Sequence, residues 1–361
     1  MSKTIIGTMS GTSMDGIDVA LLKTDGKDGV ETGATYFHAY SKADRTLIAE
    51  AIEAAKSGDG RANATVQAAE AMITQAHLKA IQAMLEEEEL RPSDVDLVGF
   101  HGQTLLHAPH QGTTLQIGDG EALAKALGIA VAYDFRSKDV AAGGEGAPLV
   151  PIFHKTLLQK ADAPLPAAIV NIGGVGNVTV LSGDDLIAFD TGPGNALIDD
   201  WMKSRTSRSY DQWGRIAGEG SVDEAIVGKW MEHSYFEAKP PKSLDRDTFD
   251  MMAVDRASLA DGAATLTAFS ARTIAHALKP YNVKTLYVSG GGAHNRTMMR
   301  MLKEASGIEP KSMEALGFDG DFLEAQAFAY LAARVEQGLP ITFPGTTGVS
   351  EPTLGGEIAL P

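Results

Sequence analysis

The sequence predicts an α/β protein built twice, as two lobes around a central cleft. Three observations carry this expectation. Each half opens on three short apolar segments of strand length, and the first turn between them is glycine-rich. Amphipathic helices follow the strands in both halves, the pattern of layered α/β folds. The same order of elements recurs along the chain, as an internal duplication would produce.

In the first half, Thr4-Ile5-Ile6 and Val19-Ala20-Leu21-Leu22 read as strands around the turn 7–18, and a third strand covers about 32–40. Residues 61–88 form the clearest helix, with Val66, Ala69, Met72, Ile73, Ala76, Ala80, Met84 and Leu85 on one stripe. The run Glu86–Glu89 reads as its solvated end. "DVDLVGFHG" and "GIAVAYDFR" read as buried strands. In the second half, strands are expected at 167–172, 177–181 and 186–190, and again at "TLYVSGGGAHN". Helices are expected at about 256–278 and 321–337, the latter with Phe322, Ala325, Ala329 and Ala332-Ala333 on one face. Residues 136–148, rich in glycine, are the expected mobile segment between halves. The first lobe is expected to take 1–135 plus a returning tail at 343–361, and the second 136–342.

Composition narrows the function classes. The 361 residues suit two medium domains, with an ordinary share of apolar and charged residues. The net charge of −16 leaves no basic stripe for nucleic acid or an anionic membrane. There is no cysteine, which excludes disulfides and thiolate chemistry. With no signal peptide and no apolar run long enough to span a bilayer, a cytoplasmic enzyme is expected.

The turn "GTMSGTSMDGID" at 7–18 poses the central chemical question. It feeds a strand and holds no lysine, so it is not a Walker-type loop. Backbone N–H groups at Gly11, Thr12 and Ser13 would form an anion-binding nest, with hydroxyls from Ser10, Thr12 and Ser13. Carboxylates beside phosphates call for a divalent cation, which makes Asp15 or Asp18 a candidate Mg²⁺ anchor through water. Gly173-Gly174-Val175-Gly176 is a second turn of this character. "FDTGPGN" puts Asp190 at a strand end, with Asn195 placed to cap the next helix. Gly290-Gly291-Gly292 removes three side chains in a row, which suits a flat ring or a phosphate lying on backbone. Four such turns at strand ends form the pattern of a nucleotide site between duplicated domains.

Taken together, "GTMSGTSMDGID", "GFHGQT", "DFRSKDVAAGGEGAPLVP", "NIGGVGN", "FDTGPGN", "SGGGAHN" and "EAQAFAYLA" resemble, in order and over essentially the whole chain, the anhydro-N-acetylmuramic acid kinases. These are sugar kinases of the superfamily that includes hexokinase, acetate kinase, actin and the chaperone ATPases. The resemblance implies a duplicated, two-lobed actin/hexokinase-like fold with ribonuclease H-like halves. It implies ATP with Mg²⁺ and a homodimer. The reaction opens the 1,6-anhydro bridge of 1,6-anhydro-N-acetylmuramic acid with water while phosphorylating O6, as part of peptidoglycan recycling. By this resemblance Gly11, Thr12, Ser13, Met14, Asp15, Gly16, Ile17 and Asp18 form the ATP phosphate hairpin. Asp190 is the catalytic aspartate. His101, Arg136 and Glu324 line the sugar site, and Gly290, Gly291 and Gly292 form the adenosine end, with Gly173 and Gly174 also facing nucleotide.

The chemistry suits a single strong base. Glycoside hydrolysis usually needs one carboxyl to protonate the leaving oxygen and another to activate water. Here the departing O6 is captured by the γ-phosphoryl group, so a base alone, Asp190, suffices. Two other readings stay open at this stage: a conventional kinase for another sugar or small acid, and an actin-like ATPase without a metabolic substrate. His101, His107 and His110 match no metal-binding spacing. Trp201, Trp213 and Trp230 read as core or interface residues, and Lys242 of "KPPKSLDR" as a loop residue near substrate or at a subunit contact.

Overall fold

The computed structural model describes residues 2–11 and 13–361. Its contacts divide the chain into two compact units, Met1–Leu157 with Phe322–Pro361, and Leu158–Asp321. The division therefore falls at Leu157 and Asp321, not at 135 and 342. Two features set it. Residues 136–148 are tied to the C-terminal segment, and the helix Leu323–Glu336 packs on the strands of the first unit.

The first unit is built on a mixed sheet. Its strands are β1 (Lys3–Ser10), β2 (Gly16–Thr24), β3 (Val30–Ala39), β4 (Leu97–Ala108), β5 (Thr113–Ile117), β6 (Val131–Tyr133) and, at the far end of the chain, β12 (Glu357–Ala359). The spatial order is β12-β6-β4-β1-β2-β3, with β5 on β4. β1, β2 and β3 form an antiparallel meander, and β1 pairs with β4 in parallel. The second unit holds β7 (Ala167–Ile172), β8 (Val175–Ser182), β9 (Asp185–Pro193), β10 (Thr285–Ser289) and β11 (Pro310–Ser312) in the order β11-β10-β7-β8-β9. Again three strands form an antiparallel meander and the first pairs with the fourth in parallel. The duplication expected from the repeated glycine turns is thus a duplication of sheet topology, the order of a ribonuclease H-like half.

Each unit has its own apolar core. In the first, Ile6, Val19 and Val98 of the sheet meet Val66, Ala69, Ile73 and Met84 of the helix Ala64–Glu87. Glu86–Glu89 are exposed, as a solvated helix end should be. In the second, Val170, Val178 and Val288 meet Ala263, Leu266 and Phe269 of the helix Leu259–Leu278. Trp201 is buried there and donates its indole N–H to the Leu259 carbonyl, and Trp230 packs on Phe269. Trp213 instead stands exposed, edge-on to His294.

The helix Leu323–Glu336 shows why "EAQAFAYLA" is written in small residues. It lies so close on β1 and β4 that a Cβ at Gly99 would collide with the Phe328 carbonyl, and one at Gly7 with the Ala325 carbonyl. The colliding atoms are backbone, so no side-chain rearrangement relieves them. Residues 136–148, expected to be mobile, are stapled instead. Asp139 is buried and accepts from the Gly146 N–H (2.6 Å) and the Thr347 hydroxyl (2.6 Å).

Two predictions follow from this packing. Gly99→Ala must displace the helix and is expected to lower stability by about 1–3 kcal/mol. Gly228→Ala, where a Cβ meets nothing within 4 Å, should leave the melting temperature unchanged or raised. Equal melting temperatures for the two variants would refute the close-packing account.

The second concerns His77, fully buried on Ala64–Glu87 against Phe100. Its Nδ1 pairs with the Ile73 carbonyl, and its Nε2 has no partner. Burial lowers its pKa from 6.5 to about 4. Between those values the unfolded chain binds more protons, so stability falls as pH drops from about 6.5 to 4. The loss attributable to this group is about 3 kcal/mol. Asp190 and Asp199, both raised to about 6, act in the opposite sense, so the comparison must be between variants. Urea denaturation of His77→Leu across this range should show a shallower decline than the parent chain.

Candidate functional site

The hairpin between β1 and β2 is held from behind. Ser10 is buried, its hydroxyl donates to Gln103 Oε1 (2.5 Å), and its oxygen lies 2.9 Å from the Tyr40 hydroxyl. Gln103 Nε2 in turn donates to the Gly11 carbonyl (3.3 Å). Ser10 therefore supports the turn from the core and is not a free hydroxyl donor. At the tip, the Met14 N–H donates to the Gly11 carbonyl and Met14 takes a φ of 53°, which closes a tight turn. The Ser13 hydroxyl donates to Asp15 Oδ1 (2.6 Å), and both residues are exposed. Asp18 lies on β2 opposite Met9, while Gly16 and Ile17 are buried in the strand. Thr12 lies outside the described residues. Among those residues no group of three His, Cys, Asp or Glu side chains is arranged to hold a metal ion.

His101, Arg136 and Glu324 come together in the first unit. His101 is buried at the bulged part of β4, on the ring of Phe328. Arg136 Nε (3.1 Å) and Nη2 (3.0 Å) both approach His101 Nε2, and Nη1 donates to the Gly146 carbonyl (2.7 Å). A guanidinium only donates, so His101 Nε2 must accept, and its Nδ1–H donates to the Gly102 carbonyl (2.9 Å). Burial and the neighbouring Arg136 hold the His101 pKa well below its usual value, which agrees with the neutral ring. Burial also lowers Arg136 to about 10, against the attraction of Glu324 and Asp139, so it stays charged at neutral pH. Glu324, in the first turn of Leu323–Glu336, is pushed upward by burial and pulled back by Arg136. Among the described residues Arg136 makes no ion pair within 4.0 Å. The cluster is therefore a partly buried cation and carboxylate whose charges are not cancelled by contact, and it suits a polar ligand with an anionic group.

In the second unit, Asp190 lies near the end of β9, paired with Asn177 at a bulge. It is half-buried. Its Oδ2 accepts from the Leu244 N–H (2.8 Å). Burial raises its pKa to about 6, opposed by that hydrogen bond. Asp190 is thus more basic than a solvated carboxylate. The glycine turns nearby interlock. The Gly194 N–H donates to the Gly174 carbonyl and the Asn195 N–H to the Gly173 carbonyl. Asn195 occupies the cap position of Ala196–Arg205, but its side chain donates to the Ile172 carbonyl and does not cap. Gly290 takes a φ of 75° and, with Ala293, His294, Ser312, Met313 and Asp321, lines a small open pocket.

Sequence reasoning missed several of these supports. Gln103 and Asp139 sit inside quoted motifs, but nothing in their spacing told what each would hold. The partners of Asp190 on residues 235–244 lie some fifty positions away, with no periodic signal.

Comparison with known proteins agrees with the motifs. The family model for anhydro-N-acetylmuramic acid kinase matches residues 3–360. An anhydro-N-acetylmuramic acid kinase of Methylobacterium nodulans is 49% identical over 99% of both chains. One of Rhizorhabdus wittichii is 49% identical over 97% of both. Among solved structures, an activator of 2-hydroxyisocaproyl-CoA dehydratase from Clostridium difficile aligns over 93% of this chain and 97% of its own at 11% identity, with a TM-score of 0.47. A ROK family glucokinase from Streptomyces griseus aligns over 92% and 99% at 12% identity, with a TM-score of 0.41. With a family match that runs almost end to end, the chain belongs to the anhydro-N-acetylmuramic acid kinases and is a phosphotransferase.

Proposed function

We propose that the chain uses ATP to convert 1,6-anhydro-N-acetylmuramic acid and water into N-acetylmuramate 6-phosphate and ADP, in peptidoglycan recycling. The observation that carries the assignment of roles is the environment of Asp190, a strand-end carboxylate with one oxygen engaged and its pKa raised to about 6. Such a group is mostly ionised at neutral pH yet more basic than a solvated carboxylate. Water adds to the anomeric carbon as Asp190 takes its proton. The bond from that carbon to O6 breaks, O6 forms a bond to the γ-phosphorus, and ADP departs. Attack opposite O6 inverts the anomeric centre.

Arg136 faces the anionic part of the reaction, either the lactyl carboxylate of the sugar or the developing phosphate charge. Both ring nitrogens of His101 are engaged within the protein, so its part is to orient Arg136. Glu324 positions the water or the sugar. The hairpin at Gly11–Asp18 binds the ATP phosphates, with Gly173 and Gly174, and the pocket at Gly290–Gly292 takes the adenosine end. Asp15 or Asp18 would hold Mg²⁺ through water; the lack of a three-ligand cluster among the described residues fits a cation carried largely by phosphate oxygens. When bound, Mg²⁺ neutralises charge on those oxygens. The acidic composition supports a reading with no nucleic-acid or anionic-membrane partner. A cytoplasmic location and the homodimer implied by the family complete the proposal.

Asp190→Asn should bind ATP normally and lose turnover by about 10³-fold. In the parent enzyme kcat should decline as pH falls below about 6, where Asp190 becomes protonated. Near-normal turnover in Asp190→Asn would reassign the base, with Glu324 next in line.

The choice of substrate is tested with Mg-ATP and either the anhydro sugar or N-acetylmuramic acid with a free reducing end. Only the anhydro sugar should be phosphorylated, and ¹⁸O from labelled water should appear at the anomeric hydroxyl and not in the transferred phosphate. Phosphorylation of the free sugar alone would identify a conventional kinase. ATP hydrolysis indifferent to both sugars would identify an ATPase of another kind.

A further inference from the structure

β9 is the last strand of its sheet, so the outer edge of Asp190 has no neighbouring strand. The segment from Tyr235 to Leu244 covers that edge. The Asp190 N–H donates to the Lys242 carbonyl (3.0 Å). The Lys242 ammonium donates to the Tyr235 carbonyl (2.8 Å). The Tyr235 hydroxyl donates to the Asp190 carbonyl (2.5 Å). These three bonds close a ring through three residues. The Lys242 Nζ also stands 4.2 Å from the centroid of the Tyr235 ring, a cation–π contact that holds both side chains in place. Two residues beyond Lys242, the Leu244 N–H reaches Asp190 Oδ2. No protein donor reaches Oδ1 among the described residues.

Resting on the reading of Asp190 as the base, we propose that Tyr235 and Lys242 are positioning residues that decide which carboxylate oxygen meets the water. Their ring fixes residues 242–244 against β9, and with them the Leu244 N–H. Oδ2 is thereby committed and Oδ1 is presented in a single orientation. Opening the ring frees Leu244 to drift, and the carboxylate can then rotate. It also loses the donor that favours its ionised form, so it becomes harder to deprotonate. Tyr235 and Lys242 are the titratable groups of the covering segment that face Asp190. Tyr235 is pushed upward by burial and by Asp190, so it stays protonated and donating at neutral pH.

The test measures kcat and KM against pH for the full chain and for Tyr235→Phe, Lys242→Met, Lys242→Arg and Asp190→Asn, with Mg-ATP and the anhydro sugar. Tyr235→Phe removes one hydroxyl. It should lower kcat about tenfold while leaving both KM values within about threefold. The acid limb of its kcat profile should move to higher pH by about half a unit or more. Lys242→Met should behave alike, and Lys242→Arg, which keeps a donor and a cation over the ring, should recover most of the loss. An unchanged kcat and acid limb in Tyr235→Phe, with Asp190→Asn inactive, would overturn the positioning proposal alone. A fall in kcat that merely follows loss of folded protein in thermal melts, with the limb unmoved, would overturn it as well. Near-normal activity in Asp190→Asn would instead remove the base reading on which it rests.

Discussion

Desolvation of a few charged groups, left without a direct counter-ion, is the constraint around which the candidate residues of each unit are arranged. Burial raises Asp190, lowers Arg136, and pushes Glu324 upward. An ion pair would relieve each of these groups, but it would also neutralise the group toward a ligand. Arg136 and Glu324 relieve one another without direct contact, and backbone dipoles add to this. The Leu244 N–H faces Asp190, the Gly146 carbonyl faces Arg136, and the Gly102 carbonyl fixes the tautomer of the histidine that Arg136 leans on. Peptide groups stabilise a buried charge without cancelling it, so the field remains available to a substrate.

The duplicated strand plan supplies the peptide groups, and the two copies use it differently. In the first unit the turn after the first strand is the hairpin proposed to bind phosphate, and Tyr40, just past the third strand, steadies it through Ser10. In the second unit the turn after the first strand, at Gly173 and Gly174, also spends its carbonyls on the N–H groups of Gly194, Asn195 and Ala196. There the third strand carries the carboxylate. Under the proposed function, one topology yields a copy that binds phosphate and a copy that bears the base. The difference lies in which end of the meander is closed by the protein itself.

Much of this was legible in the sequence, for physical reasons. Apolar periodicity located the helix Ala64–Glu87, which is buried on one side, and short apolar runs located β1 and β7, which are buried on both faces. Glycine turns were legible because positions such as Gly192, Gly194, Gly290 and Gly292 have backbone angles or close approaches that few other residues permit. Residues 136–148 were misjudged as mobile: glycine content reports freedom in the unfolded chain, whereas Asp139 and Thr347, more than two hundred residues apart, remove that freedom in the fold. The partners of Asp190 escaped for the same reason. Lys242 and Leu244 reach it through backbone atoms, which leave no mark in the identity of a residue, and the Tyr235 hydroxyl reaches it from a distant part of the chain. Lys242 could be seen as unusual beside two prolines, but its bond to the Tyr235 carbonyl could not.

The pKa of Asp190 shows how finely these opposing effects must be set. A carboxylate near 4 would be fully ionised at neutral pH but a feeble proton acceptor. One pushed above 7 by burial alone would be a better acceptor that is mostly protonated already. At about 6 the group is roughly tenfold more ionised than protonated at neutral pH, and more basic than a solvated carboxylate. Burial supplies the upward push, and the Leu244 N–H supplies the restraint. That donor is only as constant as the segment carrying it, and the segment has no strand partner of its own. Its register against β9 is set by the Asp190 N–H bond to Lys242 and by the Tyr235 hydroxyl bond back to Asp190. The loop that appears to do no more than cover a sheet edge therefore sets both the orientation and the proton affinity of the group at the centre of the proposed reaction.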